Sequence, residues 1–95
     1  VPGERLLRPD YGCDLYRLVF APNDQTTAGL AIHYVRQAVQ RWEPRVEIVA
    51  LDAEADPYEP SILTIRLTYR VRASLSVATL TIPLDLAGTS PGGRP

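Results

Sequence analysis

Lysine and methionine are absent from this 95-residue chain, and cysteine, histidine and tryptophan occur once each. A single cysteine, Cys13, excludes an internal disulfide framework and suits a reducing compartment. The lone His33 has no second histidine with which to share a metal, and no carboxylates stand around it at zinc-ligand spacing. It reads as a helix-surface or partly packed side chain. An excess of one charge is missing too. The net charge of -1 leaves no electrostatic footprint for nucleic acid and no basic face for anionic lipid. No apolar run approaches the roughly 20 residues that a bilayer span needs. The opening VPGERLLRP lacks the apolar core of a signal peptide. All ten basic residues are arginine, a skew that coding bias explains, although arginine also suits planar bidentate contacts. Because the chain starts at Val1 without methionine, its natural N-terminus is expected to lie further upstream.

What is present is the pattern of one small domain over residues 1–86, followed by a Gly/Pro/Ser-rich tail, 87–95, that reads as flexible. The first dozen residues carry turn chemistry in Pro2-Gly3 and Arg8-Pro9-Asp10-Tyr11-Gly12. In DLYRLVF, Leu15, Leu18 and Val19 have the spacing of a short helical turn, though the segment is short enough to be strand. Pro22-Asn23-Asp24 signals a helix start, with Asn23 or Asp24 as the cap. Ala28, Ala31, Ile32, Val35, Ala38, Val39 and Trp42 then form one apolar stripe, so a helix is predicted over about 24–43. Pro44 has no N–H and pushes Glu43 out of the helical region, which ends it.

Beyond that stop the period changes to two. A strand is predicted over about 46–55, in which Val46, Ile48 and Ala50 alternate first and Val49, Leu51 and Ala53 then take over. Such a phase change signals a bulge near Val49-Ala50. Strands over about 62–72 and 77–86 alternate cleanly, with Leu63, Ile65, Leu67, Tyr69 and Val71 inward, then Ala78, Leu80, Ile82, Leu84 and Leu86. The fold class is therefore α+β: two layers, with one amphipathic helix on a small, mainly antiparallel sheet.

No catalytic constellation is visible. Cys13 has no base beside it in the sequence and reads as a structural thiol. The glycines from Gly88 to Gly93 have no following helix to make a phosphate site. A glycosidase-like pair of Glu43 with Asp52 or Glu54 lacks any sign of a shared cleft. Two surfaces for partners remain. Pro83 inside ATLTIPLDL places that strand at a sheet edge, where another chain could add a strand across Leu80, Thr81, Ile82, Pro83 and Leu84. At Glu43-Pro44-Arg45 a stiff turn presents two charges, with Trp42 beside it expected to anchor the turn to the core.

The stretches GERLLRPDYGCDL, LVFAPNDQTT, RWEPRVEI and LTIRLTYRV, in this order from Pro2 to Leu86, resemble the baseplate wedge and sheath-initiator family of contractile injection systems. That family includes the small wedge protein of contractile phage tails and a component of type VI secretion. The resemblance implies a structural protein of a six-fold baseplate, assembled in the bacterial cytoplasm into a tail-like or secretion particle. It implies contacts with other wedge proteins and with sheath protein, and indirectly with the inner tube and hub. No enzyme activity, cofactor, nucleic acid or membrane insertion is expected. The family's Glu-Pro-Arg signature falls on Glu43, Pro44 and Arg45, implying the contact to the baseplate core. Its lysozyme-like label has no carboxylate pair behind it here. A helix that usually precedes PGERLLRP in the family has no counterpart in this chain. The competing reading is a stand-alone regulatory binder of the same fold, like the anti-adaptor proteins.

Overall fold

The computed structural model describes residues 14–88, so the expectations for the entry segment, Cys13 and residues 89–95 lie outside it. The helical turn in DLYRL is a 3-10 helix, Asp14–Leu18, that sends Leu15 and Leu18 into the core. The main helix, α1, spans Gln25–Trp42, and the strands are β1 Val46–Ala55, β2 Ile62–Val71 and β3 Val77–Asp85. The sheet is antiparallel with order β1-β2-β3, and α1 packs chiefly over β1. This is the two-layer α+β arrangement that the change of period implies.

Local chemistry accounts for both ends of α1. Asp24 is extended, with φ -129 and ψ -177, and its Oδ1 accepts from the Thr27 N–H at 3.0 Å. Asn23 does something else. Its Nδ2 donates to the carbonyl oxygens of Pro60 at 2.8 Å and Ile62 at 2.9 Å, tying the helix entrance to the β1–β2 loop. At the other end Glu43 leaves the helix, with φ -133 and ψ 66, while its N–H still donates to the Val39 carbonyl at 2.8 Å. The buried stripe is Ala31, Val35, Ala38 and Val39, and it meets Leu63, Ile65 and Leu67 of β2 and Ile82 and Leu84 of β3.

The two adjacent polar residues make separable contributions. Asp24→Ala is expected to cost about 1 kcal/mol, the usual loss of a cap. Asn23→Asp removes two donors and points a carboxylate at two carbonyl oxygens, so it is expected to cost about 2–3 kcal/mol. Urea denaturation of both variants checks the ranking.

The bulge lies where the phase change put it. Ile48 pairs with Tyr69 and Ala50 with Thr68, which leaves Val49 as the extra residue. Val46, Ile48, Leu51 and Ala53 consequently turn toward α1, while Val49 and Ala50 are exposed. Two expectations need correction. Ala78 lies on the inner face opposite Tyr69 but is exposed, because α1 packs chiefly over β1, at the far side of the sheet from β3. Trp42 is 41% exposed and does not anchor the turn to the core. It falls in the last helical turn, beyond the buried stripe, and the Arg41 guanidinium covers its ring at 5.4 Å.

Candidate functional site

Glu43, Pro44 and Arg45 form a three-residue bridge between α1 and β1, and the turn is built from backbone outward. The Val46 N–H donates to the Glu43 carbonyl at 3.2 Å. From the far end of β2, the Arg72 N–H donates to the Arg45 carbonyl at 2.9 Å, and Arg72 Nε donates to the Pro44 carbonyl at 3.1 Å. Arg72 thus performs the anchoring expected of Trp42. Sequence reasoning missed it because its partners lie 27 and 28 residues away, and no local periodicity marks such a contact.

Arg45 Nη2 lies 3.3 Å from Glu43 Oε1, and the Arg45 side chain is 77% exposed against 17% for Glu43. The guanidinium therefore stands on the surface with one edge turned to its own carboxylate. Such an exposed pair contributes under about 1 kcal/mol to folding. Its chemical capacity is the bidentate donation that arginine offers to carboxylates or carbonyls of another chain. Near it, Arg70 Nη1 pairs with Glu47 Oε1 at 3.2 Å on the sheet's outer face.

The strand edge is the second site. Val71 N donates to the Ser76 carbonyl and Leu86 N to the Ser61 carbonyl, both at 2.8 Å, and both pairs continue the β2–β3 register. Hydrogen-bonded pairs alternate along an antiparallel ladder. Leu80, Ile82 and Leu84 therefore spend their N–H groups on Leu67, Ile65 and Leu63 of β2. Thr81 and Pro83 face the other way, so Val77, Thr79 and Thr81 direct donors to the open edge and Pro83 has none to direct. No strand among the described residues pairs with this edge. The opposite edge, β1, carries the Val49 bulge and the acidic side chains of Glu47, Asp52 and Glu54, which are devices that discourage strand addition.

The structure does not bring Glu43 together with Asp52 or Glu54. Asp52 and Glu54 flank Arg66 at 3.8 and 3.9 Å, roughly 20–26 Å along β1 from its start beside the Glu43 turn at about 3.3 Å per residue. Glycosidases hold their two carboxyl groups about 5–9.5 Å apart. An open groove of about 420 Å³ between the 3-10 helix and the end of β3 is lined by Tyr16, Phe20, Pro83 and Asp85 among others. Among the described residues, no three His, Cys, Asp or Glu side chains group as a metal site, and no helix is long and apolar enough to cross a membrane.

With this geometry in place, comparison with known proteins is specific. No curated protein matches the chain. A solved protein of Geobacter sulfurreducens, named as a candidate tail lysozyme, is 34% identical with a TM-score of 0.72, covering 95% of this chain and 81% of its own. The family model described as baseplate wedge protein gp25 matches residues 1–75, which include α1, the Glu43-Pro44-Arg45 turn, β1 and β2. The chain belongs to the baseplate wedge protein gp25 family.

Proposed function

We propose that this baseplate component initiates the sheath: it docks on the other wedge proteins through Glu43-Pro44-Arg45 and offers the open edge of β3 to the first ring of sheath subunits. Its role is structural, without turnover. The observation that carries the reading is the pairing pattern of β3. A sheath whose subunits exchange strands needs a first acceptor that looks like another subunit. β3 has an uncharged, unpaired edge over Val77–Thr81, held in register by β2. Main-chain hydrogen bonds to that edge supply affinity, and the alternation of side chains sets register.

A regulatory binder would offer the same edge to one soluble partner, so co-purification separates the readings. The tagged chain isolated from its own host is expected to bring down sheath protein together with wedge proteins. Recovery of a single soluble partner without them would favour the anti-adaptor-like alternative. A lysozyme reading makes its own demand: cell-wall glycan turnover by the purified chain that Glu43→Gln abolishes. The separation of the carboxylates along β1 supports the expectation that none is found.

A further inference from the structure

Charge is distributed unevenly along the strands. The end of the domain that holds the Glu43-Pro44-Arg45 turn gathers Arg41, Arg45, Arg70 and Arg72 against Glu43 and Glu47. The opposite end, where Asn23 meets the β1–β2 loop, carries Asp24, Asp56, Glu59 and Asp85, with no arginine in residues 21–30, 55–62 or 83–88. The arginine-rich end also exposes apolar side chains: Trp42, Leu75 at 68% and Val77 at 56%. Leu75 is unusual on a second count. It closes the β2–β3 turn at φ 63, a left-handed conformation that glycine or asparagine adopts far more easily, and its N–H donates to the Val71 carbonyl at 2.7 Å. The leucine side chain thus buries little apolar surface to offset its strained backbone. Tryptophan and arginine are enriched in binding hot spots, and Arg72 ties the base of this hairpin to the Glu43-Pro44-Arg45 turn.

Building on the docking role of Glu43-Pro44-Arg45, we propose that the β2–β3 hairpin tip is the second half of that contact. Leu75 enters an apolar pocket on a partner protein while Arg45 and Arg41 meet carboxylates at the pocket's rim. Arg72 is the positioning residue, because its two hydrogen bonds hold the turn and the hairpin base in one fixed relation. The partner is a polypeptide surface, apolar at the centre and acidic around it.

Leu75→Gly tests this with two readouts of opposite sign. Relief of the left-handed strain is expected to raise the melting temperature of the isolated chain by about 3–6 °C. Co-expressed with the wild-type chain in the host, the same variant is expected to enter baseplates at least about tenfold less often, as counted by mass spectrometry of purified particles. A photo-cross-linker at position 75 is expected to capture the same polypeptide as one at position 45, whereas one at Glu59 does not. Normal incorporation of Leu75→Gly, or a cross-link to nucleic acid, overturns the proposal. The companion Arg45→Ala separates the two claims. Exclusion of Arg45→Ala alone removes the hairpin tip and leaves the docking turn standing; incorporation of both variants removes the docking turn as well.

Discussion

Arg45→Ala is expected to leave the domain folded and to keep it out of assembled baseplates. The folded state asks little of this side chain. It is exposed, its ion pair with Glu43 spans 3.3 Å at the surface, and such pairs contribute under about 1 kcal/mol. The turn is held instead by bonds that the substitution keeps: Arg72 N–H to the Arg45 carbonyl, Arg72 Nε to the Pro44 carbonyl, and Val46 N–H to the Glu43 carbonyl. Thermal melting should therefore move by only a few degrees. Docking asks much more. An arginine that becomes buried against a partner is commonly worth about 2–4 kcal/mol, equal to about 30- to 1000-fold in affinity. Arg45→Lys keeps the charge but loses the planar fork, so an intermediate loss is expected. Normal particle assembly by Arg45→Ala, in a competition against the wild-type chain, would sink the assignment of this contact.

The second large effect lies on β3, and the hydrogen-bond alternation chooses the position. Thr81→Pro deletes a donor on the open edge and leaves the β2–β3 ladder complete. Together with Pro83 it would remove two consecutive outward donors, so a strand added along that edge would lose its pairing from Thr81 onward. The domain is expected to stay within about 1–2 kcal/mol of its normal stability, while sheath polymerisation on the baseplate is lost. Leu80→Pro makes the contrasting control. Its N–H belongs to the pair with Leu67, and its side chain packs against the core. Loss of both is expected to cost about 3 kcal/mol or more and to unfold so small a domain. Circular dichroism distinguishes the two variants before any particle is counted. Folded Thr81→Pro with full-length, normally nucleated sheaths would move the docking surface elsewhere.

The layers themselves could be read from spacing. Three-and-four-residue recurrence from Ala28 onward, ended by Pro44, is α1 to within a residue at each end. Strict alternation in ILTIRLTYRV and VATLTIPLD is β2 and β3, and the change of phase near Val49 is the bulge. Pro83 is legible for the same reason, since a missing N–H forbids a central strand and the register puts that gap at the open edge. These features depend on neighbours a few residues apart, whose geometry the backbone sets locally.

The proposed docking site was legible only in part. Glu43-Pro44-Arg45 could be picked out as a stiff charged turn, and four stretches in order carried the family. Which residue holds the turn could not be read, and the aromatic neighbour was the wrong choice. Trp42 sits one step beyond the helix's buried face, and nothing in its own sequence context says how far the sheet reaches beneath it. The division of labour between Asn23 and Asp24 was equally undecidable, since both are good caps until the loop at Pro60 arrives beside one of them.

Periodicity, proline and the helix cap thus determined the elements of this protein and their order. Tertiary structure alone decided that Arg72 clamps the Glu43-Pro44-Arg45 turn, that Thr81 rather than Leu80 faces the open edge, and that the arginines collect at one end. The reason is physical. Local conformation follows from interactions within a turn or a pleat, whereas register and cross-strand contacts are settled only when segments tens of residues apart pack their apolar faces together.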